Sequence, residues 1–85
     1  RMKSELFDTV SQVLKGPCGV TSPVSVQSRL VEDLELDSVG LLCLAVGLEN
    51  RYRVKLEENP EEPPDTVADV VDLLKKALEK QNVEP

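Results

Sequence analysis

The chain has 85 residues, of which 40% are hydrophobic; this suffices for one small domain with a modest core and is too little for two. Sixteen acidic against ten basic residues give a net charge of −6, which disfavours nucleic acid and anionic membranes and favours partners with basic docking surfaces. Histidine is absent, and Phe7 and Tyr52 are the only aromatic residues. These counts exclude hydrolysis by the usual histidine relay and leave no stacking platform for bases or flavins.

The two ends of the chain carry little structural signal. No apolar run approaches the roughly 20 residues of a membrane-spanning helix, and no signal-peptide pattern opens the chain, so we expect a cytoplasmic protein. Met2 can start translation and Arg1 cannot, so we expect Met2 to be the start and Arg1 to be left over from expression. We treat 1–85 as a single domain whose tail, 81–85, frays.

The first predicted helix covers residues 3–15, where apolar residues recur along one helix face. These residues are Leu6, Phe7, Val10, Val13 and Leu14. Gly16 and Pro17 end the helix in the manner of a left-handed C-cap glycine followed by proline. Residues 16–37 then predict a long loop held down by scattered apolar residues, with one short helical turn around 25–30.

The chain has two cysteines, Cys18 in the Gly/Pro-rich loop and Cys43 in the next predicted helix. Two cysteines are too few for a disulfide framework. We expect both to be free thiols, and a bridge between them is the less favoured alternative.

The second predicted helix, 38–52, is apolar on two sides. One stripe should face the core and consists of Leu41, Leu44, Ala45, Leu48 and Tyr52. The other consists of Val39, Leu42, Cys43 and Val46. In so small a domain, this second stripe is expected to be offered to a ligand or partner. Gly40 and Gly47 each cost the helix about 1 kcal/mol relative to alanine but leave flat spots for close approach.

The last helix follows an acidic, proline-rich connection over 57–65, in which we expect at most one helical turn. Thr66 is the predicted N-cap, and Asp69 three residues later nearly completes a capping box. The apolar stripe of this helix consists of Val67, Val70, Val71, Leu74 and Leu78. The predicted fold is all-α: a small bundle of three main helices, with a long loop between the first and second.

The chemically interesting position is Ser38, which lies at the predicted start of the second helix. A phosphoryl group there would face unpaired backbone N–H groups and the positive end of the helix dipole. Taken alone, the hexapeptide 34–39 favours the simpler interpretation that Asp37 or Ser38 is an N-cap.

The wider sequence resembles a known family. The run 29–39, Arg-Leu-Val-Glu-Asp-Leu-Glu-Leu-Asp-Ser-Val, resembles the Asp-Ser-Leu region of acyl carrier proteins. The rest of the chain follows the order and spacing of that family without an insertion. The matching parts are the first helix, the long loop, residues 48–52 at the end of the second helix and residues 66–70 at the start of the last.

The resemblance implies an acyl-carrier-like bundle in which Ser38 carries 4′-phosphopantetheine and Asp37 is its acidic neighbour. A phosphopantetheinyl transferase with Mg²⁺ would attach this arm from coenzyme A, and the arm's thiol would hold acyl groups as thioesters. The implied partners are this transferase and acyl-loading, condensing or acyl-transfer enzymes. The chain itself would be a non-catalytic monomer.

Departures from the family pattern bear on the pathway. Typical fatty-acid carriers have acidic residues along the second helix, whereas this chain has Gly40, Cys43 and Gly47 there and keeps Glu49 as the only acid. We therefore expect a specialised carrier for a polyketide, peptide or lipid pathway, with ordinary fatty-acid synthesis as the alternative. The expected partner-docking residues are Val39, Leu42, Val46 and Glu49.

Two other classes compete with the carrier. An unmodified acidic helical adaptor would use the second apolar stripe without any prosthetic group. A metal-dependent enzyme would rest on the carboxylates of Asp33, Glu35 and Asp37. An EF-hand loop that began at Asp33 would require a glycine at position 38 and a bidentate glutamate at position 44, but this chain has Ser38 and Leu44 there. We therefore predict no EF-hand and name no metal ligand, while loose cation binding by the clustered carboxylates stays an open alternative.

Overall fold

The chain forms three α-helices joined by one long and one shorter connection. A computed structural model describes residues 2–56 and 61–83. Helix α1 spans Met2–Lys15, α2 spans Ser38–Tyr52 and α3 spans Val67–Val83. None of these helices is long and apolar enough to cross a bilayer, as far as the described ranges extend. The predicted all-α bundle is confirmed.

The core is built by all three helices together with the loop between α1 and α2. Helix α1 packs against both α2 and α3. The largest fully buried side chains include one leucine from each helix and one from the loop: Leu14, Leu48, Leu74 and Leu30. The apolar stripes predicted for α1 and α3 face this core, with Phe7 and Leu78 only half-buried. The loop is therefore part of the core and not merely a connection.

Helices α1 and α2 approach closely at Gly47. A Cβ atom added to Gly47 would lie 2.8 Å from Cγ1 of Val13, whose side chain is completely buried. The flat spot predicted at this glycine is thus filled by a side chain of α1, not by another backbone. A Cβ on Gly40 would similarly lie 2.9 Å from Cδ2 of Leu36, so this glycine lets the preceding chain fold back onto α2.

Helix α1 ends at Lys15 as predicted, but the chain reversal after it differs from the prediction. Gly16 continues the helical pattern, since its N–H donates to the Gln12 carbonyl at 2.9 Å. The left-handed residue is Gly19, with φ of +73°, not Gly16. The Cys18 N–H donates to the Val13 carbonyl at 3.1 Å, so the chain completes a further turn before it reverses. The reversal consequently falls three residues later than the glycine-proline pair suggested.

The loop contains two turns where one was predicted at 25–30. The Ser28 N–H donates to the Ser25 carbonyl at 3.1 Å and closes a tight turn. The helical turn follows it, where the Leu34 N–H donates to the Arg29 carbonyl at 3.0 Å. The predicted position was therefore too early, because the buried leucines that hold the turn come later in the chain.

The loop is fastened to the segment that precedes α3. The Leu30 N–H donates to the Asp65 carbonyl at 2.8 Å, and the backbones of Arg29 and Thr66 pair as a single antiparallel bridge. An exposed ion pair joins Arg29 Nε to Asp65 Oδ2 at 3.3 Å. Solvent screens this exposed pair, so the backbone pairing does more to fix this contact.

The capping box predicted for α3 is confirmed. The Asp69 N–H donates to Thr66 Oγ1 at 3.2 Å, and the Thr66 N–H donates back to Asp69 Oδ2 at 3.1 Å. At its other end α3 continues through Val83, and 84–85 lie outside the described residues. The fraying of 81–85 stays a prediction. Of the predicted connection, 61–65 is not helical and 57–60 lies outside the described residues.

The capping box makes α3 sensitive to acid. Backbone donation from Asp65 and then from Thr66 lowers the pKa of the Asp69 carboxyl below its ordinary value. The pKa of Asp69 is lower in the folded chain than in the unfolded chain, so the capping hydrogen bonds stabilise the fold fully above the unfolded pKa of roughly 3.9. This stabilisation is lost as pH falls through the folded-state pKa of Asp69.

We expect Asp69→Ala to cost about 0.5–2 kcal/mol at pH 7 and to cost much less at pH 2. Urea unfolding at both values measures the difference. Glu79→Ala, an exposed acid on the same helix, should have little effect at either pH. An equal loss at both pH values for Asp69→Ala would show that the carboxylate does not cap α3.

Candidate functional site

Asp37 is the N-cap of α2. Its backbone is extended, with φ −100° and ψ −171°, and its Oδ1 accepts a hydrogen bond from the Gly40 N–H at 2.8 Å. Its carbonyl accepts the first helical hydrogen bond, from the Leu41 N–H at 2.9 Å. The capping role that the sequence left open between two residues therefore falls to Asp37.

Ser38 is the first residue of α2 and is exposed. Within the described ranges, its hydroxyl makes no hydrogen bond, and the N–H groups of Ser38 and Val39 have no partner. The first turn of α2 also lacks acidic residues. Ser38 Oγ is thus available at the positive end of a helix, a position that favours an attached anion.

The approach to Ser38 is fixed by a strained residue between two buried ones. Leu34 and Leu36 are both buried, and the Leu36 N–H donates to the Leu30 carbonyl at 3.0 Å. Glu35 between them has φ of +59°, in the left-handed region. For a residue with a side chain this conformation costs roughly 1–2 kcal/mol. The burial of its two neighbours holds it there and sets where α2 begins.

The outer side of α2 is apolar and exposed. Val39 is 71% exposed, Leu42 64% and Val46 45%, and we call these three residues the outer stripe. On the inner side Leu44 and Leu48 are buried, whereas Leu41, Ala45 and Tyr52 are half-buried. Val39, Leu42 and Val46 of the second predicted stripe are therefore exposed as expected, but Cys43, which was predicted in the same stripe, is half-buried.

Glu49 lies beyond the outer stripe and has a structural contact that the sequence did not suggest. Its half-buried carboxylate accepts a hydrogen bond from the Leu56 N–H at 3.0 Å. Arg53 ends α2 in the left-handed conformation, with φ of +55°, and its N–H donates to the Glu49 carbonyl. Glu49 thus holds the segment that follows α2 against the end of the helix.

The acidic residues before α2 are not gathered into a metal site. Asp33 Oδ2 accepts a hydrogen bond from the Arg29 N–H at 2.8 Å, and Asp37 caps α2. The side chain of Glu35 is exposed. In the part of the chain that the structure describes, no group of three or more acidic or cysteine side chains could hold a metal ion.

A small apolar cavity of about 90 Å³ lies between α2, α3 and the segments that flank them. It is lined by Leu30, Leu41, Leu44, Ala45, Leu48, Leu56, Pro63, Pro64, Val70 and Leu73. Helical periodicity predicted the contributions of α2. Those of Leu56 and of the two prolines depend on how the connection packs, and no local pattern indicates them.

Ser38 is thus exposed at the start of α2, and the outer stripe beside it is open to solvent. Scanned against protein-family models, the chain matches none. The acyl carrier protein of Thermotoga maritima is 31% identical over 77 residues, which cover 89% of this chain and 95% of the relative.

Two further relatives extend the comparison. The acyl carrier protein of Rhodococcus erythropolis is 30% identical over 83 residues, covering 96% of this chain and 90% of the relative. The meromycolate extension acyl carrier protein of Mycolicibacterium smegmatis is also 30% identical over 83 residues, covering 96% and 83%. The chain belongs to the acyl carrier protein family. It is therefore a non-catalytic carrier of acyl groups.

Proposed function

We propose that Ser38 carries a 4′-phosphopantetheine arm, whose terminal thiol holds acyl groups as thioesters. The observation that supports this most strongly is the division of roles at the start of α2. Asp37 provides the cap, so the neighbouring Ser38 hydroxyl has no structural duty. A serine that capped its own helix would, once modified, accept that hydrogen bond through an ester oxygen, which is a weaker acceptor than a hydroxyl.

The attachment is a phosphoryl transfer by a phosphopantetheinyl transferase with Mg²⁺. Ser38 Oγ forms a bond to the phosphorus of coenzyme A that bears the pantetheine, the bond to the second phosphate breaks, and adenosine 3′,5′-bisphosphate leaves. The hydroxyl proton passes to a base on the transferase, since this chain has no histidine to take it. The unpaired N–H groups of Ser38 and Val39 would then face the phosphodiester, an interaction worth about 0.3–1 kcal/mol at an exposed helix start.

We propose the outer stripe, with Glu49 at its far end, as the docking surface for partner enzymes. These would be the transferase and acyl-loading, condensing or acyl-transfer enzymes. Apolar side chains exposed to this extent on a small domain are typical of interaction surfaces. The apolar cavity beneath α2 is the part of the fold suited to the first carbons of an acyl chain.

The pathway we propose is a specialised one, for a polyketide, a peptide or a dedicated lipid, with ordinary fatty-acid synthesis as the alternative. The lack of acidic residues in the first turn of α2 supports this proposal. So does the similarity to carriers named for meromycolate extension. The cytoplasmic location, the monomeric state and the single domain over 1–85 stay predictions from the sequence.

Intact-mass analysis tests the modification. Incubation of the full chain with coenzyme A, Mg²⁺ and a promiscuous transferase should add one phosphopantetheine, and Ser38→Ala should add none. Ser4→Ala, which removes an exposed serine from α1, is the matched control and should be modified as the wild type is. An adduct that survives Ser38→Ala would refute the assignment. An unmodified wild type that binds a partner stoichiometrically would favour the adaptor.

A further inference from the structure

Cys18 and Cys43 are free thiols, as predicted, but they lie next to each other. Their Sγ atoms are 3.3 Å apart, although 25 positions separate the two residues in the chain. Cys18 Sγ also lies 4.0 Å from the Gly40 carbonyl oxygen. The segment after α1 therefore contacts the first turns of α2 through its cysteine, and both side chains are half-buried and accessible to small reagents.

We propose that Cys18 and Cys43 form a thiol-redox site, which a disulfide oxidant of the glutathione type closes into an intramolecular disulfide and a dithiol reductant opens again. An S–S bond is about 2.0 Å long, so the two sulfur atoms need to approach by roughly 1.3 Å. Small side-chain rotations can supply a movement of this size, whereas cysteines on rigid elements facing apart would need a backbone change.

The reaction proceeds by two thiol–disulfide exchanges. One of the two cysteines, as its thiolate, first attacks the oxidant, forms a mixed disulfide and expels one glutathione thiolate. The other cysteine gives its proton to water, its Sγ attacks the sulfur of the first cysteine, and the second glutathione leaves as a thiolate, which takes up a proton from water. Two cysteine thiols are thereby oxidised, and one glutathione disulfide is reduced to two thiols.

The surroundings of Cys18 lower its reactivity. Burial, and after it the hydrogen bond to Cys43, raises the pKa of the Cys18 thiol to about 12. Because the thiolate is the attacking species, this shift slows the attack by Cys18 in whichever exchange it takes part.

Closure would tie the loop to the helix that begins at Ser38. Cys43 follows Leu42 of the outer stripe directly in the chain, so the bond lies at the edge of the proposed docking surface. A cross-link across 25 positions removes much of the freedom of the unfolded chain, and for a domain of this size it should raise the melting temperature by on the order of 10 °C.

To test the proposal, the reduced chain is equilibrated in buffers of reduced and oxidised glutathione. The reaction is then quenched with acid, the remaining thiols are alkylated, and the intact mass is measured. We expect the main product in oxidising buffer to have lost two hydrogen atoms and to carry neither alkyl groups nor glutathione. Peptide mapping should find Cys18 linked to Cys43, and dithiothreitol should restore both thiols.

Single-cysteine variants serve as matched controls. Cys18→Ser and Cys43→Ser should each retain one glutathione as a stable mixed disulfide, and neither should show the rise in melting temperature. Ser38→Ala should close as the wild type does, which separates this site from the proposed phosphopantetheine arm. A wild type that accumulates glutathione on both cysteines, or that stays fully reduced while the single-cysteine variants react, would overturn the proposal.

Discussion

Replacing Leu48 with alanine should cost about 2–5 kcal/mol of folding free energy, enough to unfold much of so small a domain at 37 °C. Leu48 is 0% exposed and also lines the apolar cavity between α2 and α3. Truncation would therefore enlarge an existing cavity, and the cost of such substitutions increases with the cavity left behind. Urea unfolding followed by circular dichroism measures the loss.

The matched control is Leu42→Ala, which removes the same atoms from the opposite side of the same helix. Leu42 is 64% exposed, so the change in unfolding free energy should stay within about 0.5 kcal/mol. If Leu42→Ala destabilised the chain as much as Leu48→Ala, the assignment of the inner and outer sides of α2 would be wrong.

An aspartate in the outer stripe should strongly impair the encounter with partner enzymes. We expect Val39→Asp or Leu42→Asp to lower the rate of modification by a phosphopantetheinyl transferase about tenfold or more, because a charge would be buried at the centre of an apolar contact.

The wild-type rate of modification should fall only modestly from low to physiological salt. Exposed charges are screened beyond roughly 10 Å at 0.1 M salt, whereas apolar contacts are not.

Ser4→Asp controls for net charge, because it adds the same charge on an exposed position of α1. Its modification rate should match the wild type. The acidic residues before α2, among them Glu32 and Asp33, could still steer a basic partner electrostatically. A steep salt dependence combined with little effect of Val39→Asp would show that those acids, and not the outer stripe, provide the recognition.

The helices and the N-cap of α3 were predictable because their signals are local. Apolar residues spaced three and four apart marked one face of α1 and of α3, and the pairing of Thr66 with Asp69 spans a single turn. The size of the domain predicted that α2 has one buried and one exposed apolar side, because so small a domain cannot bury a helix on every side. The motif around Ser38 supplied the family, and the structure added that Asp37 alone provides the cap.

The features that escaped prediction depend on contacts between distant parts of the chain. No pattern near Cys18 indicates that its sulfur meets Cys43, or that the Glu49 carboxylate holds the Leu56 N–H. The left-handed conformation of Glu35 was hidden for a different reason. Glycine or asparagine usually signals such a residue, and here the burial of the two flanking leucines imposes it on a glutamate.

The close approach at Gly47 determines which half of α2 can be redesigned. Because Val13 fills the space above this glycine, any side chain there would push α1 and α2 apart and disturb the core they share. The outer stripe carries no such restriction, since its three residues contribute little to packing. Val39, Leu42 and Val46, the proposed docking surface, can therefore be exchanged as a set while the inner half of the helix, and with it the fold, stays untouched.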